Sequence, residues 1–269
     1  MLRRPLSTLA LATVVACVGA SCSLVSDFDG VAGTRPDDAG LDTSGEIDPD
    51  GIPETSTRFS CADGDKLVCS TFDEGAIDRG GWKLELTGSG TATLDASQYT
   101  SPPASFHSKI GSAPKDARIG ATISQKVTTG AFTTLIYAFD MRLLSCTSDG
   151  TGGSITLAAI QPSSQLVFGL VVVDTNKLSF AQLRLIGGQF QATPLTLQPS
   201  REWKRFEIRI AINATAAHAS VTVDGETTFD GDVDPASPAS TTLLNLGANA
   251  TGPIKGCDVV YDNVAFRKE

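Results

Sequence analysis

The chain has 269 residues, of which 30 are Asp or Glu and 21 are Lys or Arg, giving a formal net charge of −9. That surplus repels a phosphate backbone and offers no basic patch, so nucleic acid is excluded as a partner and so is a purely electrostatic contact with anionic lipid. The length suits one β-sandwich or two small domains, and the order of elements along the chain decides between them.

Arg3 and Arg4 precede an apolar run from Leu6 to Val18, and Gly19-Ala20-Ser21 leads into Cys22. A charged start, an apolar core of about 7–15 residues and small residues before a cut form a cleavable export signal, and this run is too short to span a bilayer. Residues 1–21 resemble a bacterial lipoprotein signal peptide. The resemblance implies that the cysteine after the cut carries acyl chains, so that the membrane is reached through lipid and the protein sits in the cell envelope.

Two cysteines compete for the acyl chains. Val14-Val15-Ala16 before Cys17 fits the aliphatic-then-small pattern better than Gly19-Ala20-Ser21 before Cys22. Parity points the other way: lipidation at Cys22 discards Cys17 and leaves Cys61, Cys69, Cys146 and Cys257, an even set suited to an oxidising compartment. Cys22 is taken as the lipidation site, and the stretch from Cys22 to Gly30 resembles the start of many myxobacterial-type lipoproteins. Ser23 behind the acceptor suits release to the outer membrane over the inner one. Removing the first 21 of 269 residues, with their two arginines, leaves 248 residues at a formal charge of −11.

Residues 22–58 read as an acidic tether. Nine acids between Asp27 and Glu54 face Arg35 and Arg58 alone, with Gly, Pro, Ser and Thr filling most gaps and no apolar period. Such a segment cannot bury enough surface to offset the entropy of ordering, and its charges repel one another.

From 59 to 269 the chain reads as strand after strand. β-branched or alternating runs occupy Leu67 to Phe72, Lys83 to Leu86, Thr91 to Leu94, Ile119 to Val127, Thr133 to Leu144 and Ser154 to Ile160. They continue at Leu166 to Val173, Leu178 to Ile186, Phe190 to Leu197, Trp203 to Ile212, Ala219 to Val223, Thr241 to Leu246 and Val259 to Phe266. Trp203 to Ile212 alternates apolar and polar as a strand with one wet face requires, and Asp224-Gly225 marks a hairpin turn. Leu166 to Val173 is apolar throughout and reads as a buried central strand. Many short strands without a breaking linker predict one all-β, antiparallel, two-sheet jelly-roll sandwich. By spacing, Cys61 and Cys69 flank a short turn and should bridge locally, which leaves Cys146 to pair with Cys257.

The order Phe72-Asp73-Glu74-Gly75 with Trp82, Ser101-Pro102-Pro103-Ala104-Ser105-Phe106, Trp203, Val221-Thr222-Val223-Asp224-Gly225 and Val260-Tyr261-Asp262-Asn263-Val264 is similar to concanavalin A-like lectin and laminin-G-like jelly rolls. The resemblance implies that the first and last strands pair and bring Phe72 near Tyr261. The resemblance and the alternation together put Trp82 and Trp203 in the core, and the resemblance implies that Asp73 and Asp262, with Glu74, could hold a structural calcium; the alternative is that these are solvated strand-end acids. Asp149, Asp174, Asn176, Asn245, Asn249 and Asp258 could line a loop-built site, although acids and amides in turns need no function.

Catalytic patterns are scarce. No strand from Phe59 to Glu269 carries the paired carboxylates of a glycoside hydrolase on this fold. Ser112-Ala113-Pro114-Lys115 matches S-x-x-K in letters, but Pro114 denies it a helix, and His107 and His218 lack metal-ligand spacing. The sequence therefore predicts a non-catalytic binding module for a glycan or an envelope protein partner. A glycan hydrolase of the same fold and a purely structural envelope protein are the alternatives.

Overall fold

The computed structural model describes Cys61 and residues 66–173, 176–196, 200–213, 215–235 and 237–269. The expected signal segment, the lipidation site Cys22 and the acidic tether lie outside the described residues.

Among the described residues fifteen antiparallel strands, numbered in chain order, form two sheets. One runs β13 (Glu226–Val233), β12 (Ala217–Val223), β11 (Trp203–Ile212), β6 (Thr134–Ser148), β15 (Ile254–Lys268), β4 (Ser105–Ile110) and β3 (Thr91–Asp95), with β1 (Lys66–Ser70) pairing the end of β15. The other runs β10 (Phe190–Pro194), β9 (Lys177–Arg184), β8 (Leu166–Val173), β7 (Ser154–Gln161), β14 (Thr241–Thr251), β5 (Arg118–Thr128) and β2 (Lys83–Thr87). This is the expected two-sheet jelly-roll sandwich. β4 and β13 go beyond the runs read from sequence: β4 carries only two large apolar residues, Phe106 and Ile110, and β13, at a sheet edge, contains Gly231 and three acids.

The core lies between the sheets and is assembled by period-two alternation. In β11 the residues Phe206, Ile208, Ile210 and Ile212 point inward while Arg205, Glu207 and Arg209 stay half-buried on the outer face. The terminal strands pair through Ser70 opposite Val264, and Phe106 links the rings of Phe72 and Tyr261 at centroid distances of 5.7 and 6.0 Å.

Two buried hydroxyls tie sheet to sheet where bulges expose backbone groups. Ser108 Oγ donates to the Ala121 carbonyl at 2.5 Å and accepts from the Ala248 N–H at 2.9 Å, and the Tyr261 hydroxyl donates to the Leu157 carbonyl at 2.7 Å. Gly247 makes the first possible: its φ is +116°, and a Cβ there would sit 2.3 Å from the Ala121 carbonyl oxygen.

Disulfides join Cys61 to Cys69 and Cys146 to Cys257. The second staples directly opposed residues of β6 and β15.

Candidate functional site

The outward face of the seven-stranded sheet carries a row of small side chains. Lys83 opposes Ser124, which opposes Asn245, and the row continues through Ala159, Gly169 and Ala181 to Ala192. Consecutive strands are about 4.8 Å apart, so this row is a track of roughly 29 Å with no bulky side chain between its ends. Ser179 lies on the same face two residues from Ala181, and its hydroxyl is buried with no hydrogen-bond partner among the described residues. A buried hydroxyl left unpaired costs about 1–3 kcal/mol, and with no surface exposed Ser179 lies below the reach of a ligand on the face.

Beside the track lies a cavity of about 710 Å³. Loop residues Lys115, Asp116, Asp149, Thr151, Gly152 and Pro253 form its rim, Thr156, Asn249 and Thr251 come from strands, and Leu183 with Phe190 forms an apolar wall. The strand residues face outward because their neighbours Ile155, Ala248 and Ala250 are core. Asn249 lies over Gly120, where a Cβ would come within 3.2 Å of Asn249 Oδ1. Leu183 and Phe190 are cross-strand partners, and Phe190 keeps 47% of its surface exposed.

The polar groups of this cavity are largely uncommitted. Among the described residues Asn249, Thr156, Thr251 and Lys115 spend no side-chain atom on a hydrogen bond or ion pair. Asp149 and Thr151 are the exceptions: Asp149 accepts from the Thr151 hydroxyl and from the Thr151 N–H at 2.9 Å, and these bonds hold its carboxyl below the ordinary carboxylate range. An amide and several hydroxyls that both donate and accept, next to an exposed ring, match the surface of a sugar, which has hydroxyls on its rim and C–H groups on its faces.

Of the loop residues expected from sequence, Asp149 and Asn249 line the cavity, Asn245 lies in the track, Asn176 is exposed, and Asp174 lies outside the described residues. Asp258 belongs to the opposite side of the sandwich. There His107 Nε2 meets Asp258 Oδ1 at 2.6 Å, Lys109 Nζ meets Asp258 Oδ2 at 3.1 Å, and His107 Nδ1 faces Asp95 Oδ2 at 3.6 Å. Every group in that set has a partner, so it braces the outer face of the eight-stranded sheet. Trp82 is core, as expected. Trp203 is not: it opposes Arg142, in phase with Arg205 and Glu207, and is half-buried on the outer face.

The calcium ligands suggested by the resemblance do not fit a cation. The Asp262 carboxylate has no exposure and accepts from the backbone N–H groups of Thr100, Ser101 and Asn263 at 2.8, 2.7 and 2.7 Å, and from the Thr100 and Ser101 hydroxyls. A carboxylate ringed by donors has no lone pairs directed at a metal. Asp73 is exposed, and among the described residues no group of three or more His, Cys, Asp or Glu is arranged to hold a metal ion. Burial pushes the Asp262 carboxyl up, while those backbone N–H groups pull it down.

Sequence reasoning gave no binding role to Lys115, which it weighed only within an S-x-x-K match, nor to Thr156, Leu183, Phe190 and Thr251. One signal was legible: an aromatic, Phe190, opening a polar five-residue strand, FQATP, has no core position to fill.

No family model matches the chain, and no curated protein does. Among solved structures, an endo-β-1,4-glucuronan lyase from the fungus Trichoderma reesei superposes with a TM-score of 0.54 at 15% identity, over 71% of this chain and 92% of its own. The cellulose-induced protein Cip1 superposes with a TM-score of 0.55 at 13% identity, over 75% of this chain and 97% of its own. The fold is a concanavalin A-like jelly roll. At such identities the likeness extends to the fold alone.

It also corrects the expectation that the domain is non-catalytic. A lyase occupies this fold. Elimination begins with proton abstraction by one base, not with the two carboxylates that hydrolysis uses. The missing carboxylate pair therefore speaks to hydrolysis and has no bearing on elimination.

Proposed function

We propose that this chain is an exported lipoprotein, anchored through Cys22, whose jelly roll recognises polysaccharide along the outward face of the seven-stranded sheet. The observation that carries the reading is the uncommitted polar set Asn249, Thr156 and Thr251 facing the same cavity as the exposed ring of Phe190, beside a track of small residues. The shared fold of a glucuronan lyase and a cellulose-induced protein supports it at the level of architecture.

The roles follow from chemistry. Phe190 offers a flat apolar face to the C–H side of a sugar ring, an aromatic contact worth about 0.5–1.5 kcal/mol beyond its area. The Asn249 amide spans two neighbouring hydroxyls, donating to one and accepting from the other, at about 0.5–1.5 kcal/mol net per bond. Each contact is weak. Affinity comes from repeating sugars engaging the track together.

Affinity electrophoresis of the purified chain in gels containing neutral and acidic polysaccharides tests the reading. Retardation by at least one polymer is expected, and Phe190→Ala should weaken that binding roughly three- to tenfold. Reducing-end assay and absorbance of an unsaturated product, run on the same mixtures, report cleavage by hydrolysis or by elimination. Migration unaffected by every polymer would remove the reading.

The anchor has its own test. Cys22→Ser is expected to abolish acyl labelling and membrane attachment, whereas Cys17→Ser keeps both. The reverse pattern would move the lipid to Cys17.

A further inference from the structure

We propose that the polymer taken by the seven-stranded face is acidic, a glycan that bears carboxylate or sulfate groups. The inference rests on the glycan reading above and names the substrate class.

It follows from where the fold leaves positive charge uncompensated. On the eight-stranded sheet Lys109, Lys204, Arg205, Arg209 and Arg267 each meet a carboxylate, of Asp258, Asp224, Asp140, Glu269 and Glu207 in turn. The outward face of the other sheet differs. Arg118 and Lys126 stand in phase with Ser124 on β5, Lys177 stands in phase with Ser179 on β9, and Lys115 lines the cavity. All four are exposed, and among the described residues none makes an ion pair or a side-chain hydrogen bond. With Lys83 this face carries five cations against three carboxylates, Glu85, Asp116 and Asp149, so it is locally positive in a chain whose net charge is −9. Two of those acids are already engaged: Glu85 accepts from the Ser124 hydroxyl at 2.7 Å, and Asp149 accepts from Thr151. Acids outnumber bases in the chain, yet no carboxylate pairs with these four cations, and it is such uncompensated charge that sets the potential a ligand meets.

The cations also lie where the glycan groups do. Arg118 opposes Thr251, which opposes Ser154, and both of these hydroxyl residues line the cavity. Lys177 opposes Val173 two strands beyond Ser154, at the same end of the sheet. Four strand spacings of about 4.8 Å put Arg118 and Lys177 about 19 Å apart, with Thr251 and Ser154 between them. One polymer can therefore meet both cations while its hydroxyls engage Asn249, Thr156, Thr251 and Ser154. A carboxylate or sulfate is matched by the planar fork of an arginine and by lysine ammonium groups, which hydroxyls and amides cannot replace. A neutral glycan would leave all four cations idle.

The test compares polymer classes on the full chain. Alginate and polygalacturonate supply carboxylates, carrageenan supplies sulfates, mixed-linkage β-glucan and galactomannan are neutral, and single-stranded DNA is a polyanion without pyranose rings. At least one acidic glycan should bind about tenfold or more tightly than either neutral polymer at about 50 mM salt. That binding should weaken at least about fivefold by about 500 mM salt, as exposed charge pairs are screened. The carboxylate and sulfate arms identify the anion.

The double variant Arg118→Gln/Lys177→Gln should weaken acidic binding about fivefold or more and change neutral binding by less than about twofold, with near-ultraviolet circular dichroism confirming the fold. Lys109→Gln, on the opposite sheet, should change neither. If the double variant does not fold, Lys177→Gln alone should weaken acidic binding by a smaller factor. Neutral binding as tight as acidic binding, or a ratio indifferent to Arg118 and Lys177, overturns the inference and leaves the glycan reading standing. DNA held as tightly as the acidic glycans would mean that charge alone is read, which also overturns it. Binding to no glycan of either class overturns both.

Discussion

The double variant Cys146→Ala/Cys257→Ala is expected to lose about 4–5 kcal/mol of stability, and the Tm to fall by roughly 10–20 °C. The bridge joins residues 111 apart in sequence, the long loop in which cross-linking removes most entropy from the unfolded chain. It also sits at the centre of the eight-stranded sheet, where β6 and β15 run side by side from Ile254 opposite Ser148 to Lys268 opposite Leu135. Both cysteines are buried, at 6% and 2% exposure, so alanine leaves no unpaired polar group and the loss reports the cross-link. Opening Cys61–Cys69, only 8 residues apart, should cost about 2–3 kcal/mol by the same reckoning. Urea unfolding followed by circular dichroism decides it. A loss below about 1.5 kcal/mol for the long bridge, or one equal to that of the short bridge, would show that native geometry and not loop entropy governs it.

The fold was legible because one face of nearly every strand is wet. Trp203 to Ile212 carries its whole structural instruction in alternate letters, and the observed strand has the same bounds. That run also held the answer for Trp203. The even positions Phe206, Ile208, Ile210 and Ile212 form the apolar face, so the odd-numbered Trp203 belongs with Arg205 and Glu207 on the wet one. Placing it in the core, on the resemblance and on the alternation read from the wrong starting letter, ran against the phase of its own strand. Leu166 to Val173 was legible for a different reason, since a strand covered on both faces needs no alternation.

The site was less legible, because it is assembled from residues distant in sequence that have no chemical signature one at a time. Asn249, Thr156 and Phe190 meet only through the order β10-β9-β8-β7-β14, and no local pattern encodes that order. Ser124, Ala159, Gly169 and Ala181 look unremarkable singly and matter as an unobstructed row. Asp262 shows the opposite failure. Its place beside the paired terminal strands suggested a cation, but a carboxylate becomes a metal ligand only if donors do not reach it first, and the loop at Thr100 and Ser101 does. The Val-Tyr-Asp-Asn-Val phrase thus has a structural reason here: Asp262 collects the loop, and Asn263, at φ +50°, turns its side chain to donate to Thr100 and Asp140 at 2.7 Å.

Asp262→Ala should accordingly destabilise the fold by about 3–5 kcal/mol with no metal present. Three backbone N–H groups would lose their acceptor, each at about 1–3 kcal/mol when left buried and unpaired, with part recovered as water enters the space of the lost carboxylate. Asp262→Asn keeps one acceptor oxygen but turns an amide N–H₂ toward donors, so it should rescue only part of the loss. The pH dependence separates this role from ordinary ion pairing. Burial raises the folded-state pKa of Asp262 above the 3.8 of the free group, so its titration adds stability that is fully present below 3.8 and is lost as pH rises through the folded value. Asp149 and Asp234 are shifted down, by bonds from Thr151 and from Arg184, and act in the opposite sense: their contribution holds above 3.8 and fades as pH falls through their lowered values. The cost of Asp262→Ala should therefore be larger near pH 4 than at pH 7, measured as the difference in unfolding free energy between variant and parent at each pH, with and without chelator. A cost that shrinks on acidification would mean that Asp262 works chiefly as an ionised partner. A cost that disappears in chelator would return the metal that the ring of N–H donors argues against.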